Sequence, residues 1–178
     1  MKHMFMKGYT HIYTGNGKGK TSAALGLAFR AAGSGIKSII IQFMKGLPTG
    51  EQEAALKLNG LITIEQYGSD TFCSPDDVSR EKHRENADRG YERARALVRS
   101  GEYPIVILDE IITAAKFGLV SINDVIDLMR SKHESVELVL TGRTADQQLV
   151  RHADLVTEMK EIKHYYHAGV AERKGIEH

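Results

Sequence analysis

The segment Thr14-Gly15-Asn16-Gly17-Lys18-Gly19-Lys20-Thr21 constrains this chain more than any other. It follows a β-branched and aromatic run, Tyr9 to Thr14, and leads into a helical pattern from Thr21 to Ala32. A strand, a glycine-rich turn and a helix in that order let the backbone approach an anion with no Cβ in the way. Successive N–H groups and the positive end of the helix then converge on it. Lys20 is placed to reach terminal phosphates, and the Thr21 hydroxyl to complete a magnesium shell. The spacing departs from G-x-x-x-x-G-K-[ST], because Thr14 stands where the first glycine belongs. A merely flexible turn would explain the glycines but not a Lys-Thr pair at the helix start. Residues 14–21 are therefore assigned to a polyphosphate site.

The remaining pattern repeats this alternation. Ser38 to Phe43, Leu61 to Gln66, Pro104 to Asp109, Val136 to Thr141 and, more weakly, Ala153 to Glu158 read as strands. Helical patterns separate them: Thr21 to Ala32, apolar or small on nearly every face and so expected to be buried against a sheet, and Glu51 to Leu58. The longest helix opens at Ser74-Pro75-Asp76-Asp77 and carries an apolar stripe of Ala87, Tyr91, Ala94 and Val98. Strands alternating with helices imply crossover connections and a mainly parallel central sheet flanked by helices. With 178 residues and no Pro-rich or Ser-rich linker, residues 1–178 read as one domain. A formal charge of +1 offers no global field for nucleic acid or an anionic membrane, so an anion must be held locally. The single cysteine, Cys73, excludes an internal disulfide. The aliphatic runs are too short for a membrane helix, and the N-terminus lacks the apolar core of a signal peptide. A soluble, unexported, cytoplasmic protein is expected.

Ile105-Val106-Ile107-Leu108-Asp109-Glu110 ends a hydrophobic strand in an acid pair. Parallel-sheet geometry places that end beside the phosphate loop, where Thr21, Glu110 and Asp109 are candidate Mg²⁺ ligands. Thr141-Gly142-Arg143 reaches the same edge, which makes Arg143 a candidate for neutralising triphosphate charge, against the alternative of an ordinary surface arginine. Gln42-Phe43-Met44-Lys45-Gly46 also stands at a strand end, with Lys45 either a substrate ligand or a plain loop lysine. His164 and His167 lack an evident third ligand for a metal, and His83, His133 and His152 read as solvated. Cys73 has no evident base partner and reads as structural rather than nucleophilic.

TGNGKGKT from Thr14, QFMKG from Gln42, VILDE from Val106, LTGR from Leu140, ADLVTEM from Ala153, IKH from Ile162 and GVAERKGIE from Gly169 together resemble the ATP:corrinoid adenosyltransferases. The resemblance runs from about Gly8 to the C-terminus. It implies a three-layer α/β P-loop NTPase fold and transfer of the 5′-deoxyadenosyl group of ATP to the Co(I) centre of a corrinoid, releasing triphosphate. ATP is then the co-substrate, held by Thr14, Gly15, Asn16, Gly17, Lys18, Gly19, Lys20, Thr21 and Arg143, with Mg²⁺ on Thr21, Glu110 and Asp109. The resemblance also implies a nucleotide lying reversed in the loop relative to most P-loop enzymes. No protein nucleophile is implied, because Co(I) itself attacks. Phe72, in the loop Tyr67 to Cys73, is the candidate wall against the corrinoid's lower face, and Gln42 and Lys45 are further corrinoid-binding candidates. The resemblance implies a homodimer and an electron donor such as a flavoprotein reductase. The alternatives are a P-loop small-molecule kinase or phosphohydrolase and, outside enzymes, a nucleotide-binding regulator or corrinoid carrier.

Overall fold

The computed structural model describes residues 7–69 and 80–177. Six strands form one sheet: β1 (Thr10–Thr14), β2 (Ser38–Phe43), β3 (Ile62–Tyr67), β4 (Ile105–Asp109), β5 (Glu137–Thr141) and β6 (Leu155–Glu158). Their order is β3-β2-β4-β5-β1-β6, and every neighbouring pair is parallel. Between them run α1 (Lys20–Gly33), α2 (Gly50–Leu56), α3 (Arg80–Ser100), α4 (Ile111–Lys116), α5 (Ile122–Ser131) and α6 (Gln147–Val150). The expected opening of the long helix at Ser74 to Asp77, and Phe72 and Cys73, lie outside the described residues.

The period of two along each strand sorts the core into two layers. On β4, Ile105 and Ile107 pack with α1 and α2 residues such as Ala24, Ala28 and Ala55. Val106 and Leu108 face the other way, onto Ala94, Leu97, Val98, Val125 and Leu128 of α3 and α5. Both faces are covered, which is why β4 reads as an unbroken apolar run and is buried throughout. At the far edge β6 pairs only with β1, and all four of its residues are exposed.

Helix α1 is buried against the sheet, as expected: Ala24, Ala28, Ala31 and Ala32 form the face turned to it, while Phe29 on another face is 67% exposed. A helix made of alanine, glycine and leucine carries too little polar contrast to reveal which face turns inward. One expectation is corrected: His83 is not solvated but 3% exposed, with its ring 3.0 Å from the Ser69 hydroxyl. It stands one turn ahead of Ala87 and so belongs to the buried stripe of α3, a position masked in sequence by Lys82 and Arg84. His133 is exposed, as expected, whereas His152 is half-buried, with Nδ1 2.7 Å from the Gln148 carbonyl.

Candidate active site

Parallel strands deliver their C-terminal ends to one edge, and the chemistry-bearing residues collect there. Gly15, at φ 101°, turns the chain out of β1, and Gly19, at φ 120°, turns it into α1. The loop is also pressed against the chain that leaves β6. Gly17 N–H donates to the Met159 carbonyl (2.7 Å), and Met159 N–H donates to that of Thr14 (2.8 Å). A Cβ would stand 2.4 Å from the Met159 oxygen at Gly15 and 2.6 Å from it at Gly17. These glycines are therefore required by the protein's own packing, independently of any ligand. Thr14 takes the first glycine position because its hydroxyl has work there: it accepts from Ala145 N–H at 2.9 Å, tying β1 to the turn after β5.

No side chain caps α1 and no acidic residue stands in its first turn, so its positive end faces the loop without a competing carboxylate. Lys20 is buried and donates to the Gly17 carbonyl at 2.8 Å, folding back over the loop. Burial pulls its pKa below the usual lysine value; Arg143 pulls the same way, while Glu110 and Asp109 oppose them. Lys18 points elsewhere: its ammonium donates to the Ile176 carbonyl at 3.0 Å and lies 3.4 Å from Glu177.

The two acids of the β4 end divide their roles. Asp109 is wholly buried, with Oδ1 accepting from Thr21 (2.8 Å) and Thr141 (2.7 Å). Its Oδ2 accepts from Lys45 (2.9 Å) and Gln42 (3.3 Å). Burial alone would depress the Lys45 pKa, but the Asp109 carboxylate 2.9 Å away raises it. Gln42 is buried beneath the cleft, bridging Asp109 and Glu51 and accepting from Gln66. Lys45 does line the cleft.

Glu110 turns the other way. It adopts the left-handed conformation (φ 62°) at the start of α4, its N–H donates to Thr141 Oγ1, and its carboxylate lines the cleft. Thr113 donates to Glu110 Oε2 at 2.5 Å and accepts from the Arg143 N–H at 2.9 Å. That hydroxyl links the acid of β4 to the arginine of β5, and the exposed Arg143 side chain enters the same cleft. No sequence signal points to the role of Thr141, although it stands in the LTGR pattern, and only the three-residue spacing from Glu110 hints at Thr113.

The cleft so formed has a volume of about 1020 Å³. Asn16 to Ser22, Lys45, Glu51, Glu110 and Arg143 line one part of it; the C-terminal segment lines the rest. That segment contains a 3₁₀ turn, Tyr165–Ala168, preceded by His164, whose Nδ1 accepts from the Tyr166 N–H. His167 lies 2.8 Å from Glu161. Among the described residues no group of three or more His, Cys, Asp or Glu could by itself hold a metal ion, and no helix is long and apolar enough to cross a membrane.

A parallel sheet sandwiched between helices, with a glycine-lysine turn after β1 and an acid pair ending β4, defines a three-layer α/β protein of P-loop NTPase-like architecture. The family model described as ATP:corrinoid adenosyltransferase BtuR/CobO/CobP matches residues 6–178, and the chain belongs to that family. It is 34% identical to a corrinoid adenosyltransferase of Sinorhizobium sp. over 96% of this chain and 80% of the relative. It is 30% identical to a corrinoid adenosyltransferase of Escherichia coli (strain K12) over 97% of this chain and 86% of the relative. An uncharacterized protein of Nostoc sp. is 36% identical over 89% of this chain, which spans only 45% of that longer relative.

Proposed function

We propose that this protein transfers the 5′-deoxyadenosyl group of ATP to the Co(I) centre of a corrinoid. The C5′–O bond of ATP breaks, the cobalt electron pair forms the Co–C5′ bond, and the oxygen leaves with inorganic triphosphate. Co(I) is a strong nucleophile, so the reaction needs neither a protein nucleophile nor a general base. The protein's part is to align the two substrates, stabilise the charge growing on triphosphate and exclude water. The observation that carries this reading is the gathering of Lys20, Thr21, Glu110 and Arg143 around one cleft, in a chain that matches the family along nearly its whole length.

The chain's own groups divide that work. The loop amides and the α1 N-terminus cradle the polyphosphate, with Asn16 beside them in the cleft wall. Lys20 releases the Gly17 carbonyl to meet the phosphates, and Arg143 closes on them from the end of β5. Thr21 Oγ1 and the Glu110 carboxylate present hard oxygen donors, and Asp109 Oδ1 orients that hydroxyl. Such a donor set fits Mg²⁺, which prefers oxygen and retains waters. When bound there, Mg²⁺ would neutralise charge on the triphosphate. Lys45, at the cleft wall, and Gln42, which holds Asp109 and Glu51 from beneath, remain corrinoid-binding candidates. Phe72 is retained as the candidate wall for the corrinoid. A homodimer working in the cytoplasm with a flavoprotein reductase, in adenosylcobalamin formation, completes the reading.

The test is anaerobic incubation with ATP, Mg²⁺ and chemically reduced corrinoid, following the absorbance change of Co–C bond formation together with the phosphate product. Stoichiometric triphosphate is expected. ADP in its place would move the protein to the kinases, and binding without turnover to the regulators or carriers. Within this reading, Lys20→Ala should weaken ATP binding roughly 10- to 100-fold, the loss of one or two charge-assisted hydrogen bonds. Its circular dichroism should not change. Wild-type affinity in a calorimetric titration would remove Lys20 from the site.

A further inference from the structure

The cleft continues past the phosphate loop. Its outer wall is the C-terminal segment, where Tyr166, Val170 and Ile176 line the cavity yet remain 68%, 37% and 55% exposed. Apolar side chains left in water along a groove mark a surface that a ligand covers. This wall is anchored. Lys18 of the loop grips the Ile176 carbonyl and stands beside Glu177, the Tyr165 hydroxyl donates to the Glu177 carboxylate, and Arg173 reaches the same carboxylate. The bonds from Tyr165 and then Arg173 hold the Glu177 pKa down at about 2.

The knot also distinguishes the two tyrosines. Tyr165 has its hydroxyl on Glu177 and the Arg173 guanidinium 4.8 Å from its ring centre. Its neighbour Tyr166 lines the cleft with no ring contact among the described residues beyond those to its own segment, the steeply inclined His167 ring standing 6.0 Å away between centroids. Lys18 makes the wall continuous with the loop, so one ligand whose phosphates fill the loop reaches the wall with its other end. For a nucleotide that end is a flat aromatic base.

We propose that Tyr166 stacks on the base of the bound nucleotide, with Val170 and Ile176 as the apolar surface beside it. This rests on the nucleotide reading above. A cleft of about 1020 Å³ suits a nucleotide-sized ligand. A base stacks on an aromatic side chain through its π-face, and Tyr supplies that face with an apolar body and a polar tip. Selection at this wall acts on the base and leaves the phosphates untouched.

The experiment titrates the full chain calorimetrically with ATP and, separately, with inorganic triphosphate, both with Mg²⁺ and without corrinoid, so that nothing turns over. Tyr166→Ala should lose ATP affinity on the order of tenfold and keep its affinity for triphosphate. Tyr166→Phe should match the wild type, because the ring face and not the hydroxyl makes the contact. Unchanged ATP affinity in Tyr166→Ala would overturn the proposal. So would an equal loss for triphosphate, which would mean that the segment only props up the loop. If wild-type protein bound neither ligand, the polyphosphate site would fail and the base wall with it, an outcome distinct from losing the wall alone.

Discussion

Asp109→Asn should lower the melting temperature by roughly 10 °C, one of the largest losses open to any single polar substitution in this fold. The carboxylate is wholly buried and takes four donors, from Thr21, Thr141, Lys45 and Gln42. Asparagine keeps the shape and one carbonyl oxygen, so Thr21 and Thr141 can still donate. Its amide nitrogen, however, would then face the Lys45 ammonium and the Gln42 amide, donor against donor. The half-buried Lys45 cation loses its nearest counter-charge and keeps the more distant Glu51, at 3.6 Å. The cost therefore falls at the lower end of the about 3–5 kcal/mol for breaking a buried pair from one side. At ~2–4 °C per kcal/mol for a chain of this size, that is a shift easily read by thermal denaturation. Lys45→Met in the Asp109→Asn background should recover part of the loss, because the stranded charge is gone; this coupling separates the ion pair from simple packing. A single variant melting within about 2 °C of wild type would show that the pair contributes nothing to the fold.

The same network shows how far the sequence could be read. Strand, loop and helix around Lys20, and the apolar run closing in Asp109 and Glu110, are local patterns, and a period of two or a glycine cluster suffices to see them. What joins them is topological. With β5 lying between β1 and β4, Thr141 comes to rest on Asp109, and the Thr21 hydroxyl reaches a carboxylate 88 residues away. Thr113 lies in no motif, and Thr141, though within the LTGR pattern, carries no role of its own there beside Arg143; each matters because of what the sheet order sets beside it. His83 was obscured for a different reason, since charged flanking residues outweigh a single stripe position when periodicity is judged by eye. The C-terminal segment was visible as a family signature, but its place across the phosphate loop depends on Lys18, Met159 and Glu177, contacts made between opposite ends of the chain. Helix α1 marks the lower limit of pattern reading: where nearly every residue is small or apolar, burial is decided by the sheet and not by the helix.

Glu110→Gln should reduce the rate of adenosyl transfer about 10²- to 10³-fold while leaving the affinity for ATP within a few-fold of wild type. Losses of that size are typical when one preorganised group that meets developing charge is removed. Glutamine can keep the hydrogen bond from Thr113 and the N–H bond to Thr141, so the change removes charge and little else. The backbone at Glu110 is strained as well, a property it shares with Met44, Asn59 and Thr144. A left-handed conformation at a non-glycine residue costs about 1–2 kcal/mol. Glu110→Gly therefore separates the two demands. It should melt no lower than wild type, and a few degrees higher if the relieved strain exceeds the lost Thr113 contact, yet be as inactive as the glutamine variant. Should the glutamine enzyme retain more than a tenth of wild-type activity, the carboxylate would have no part in the reaction. If the glycine variant were instead strongly destabilised, the left-handed turn would be serving the fold through the Glu110 side chain and not through the site.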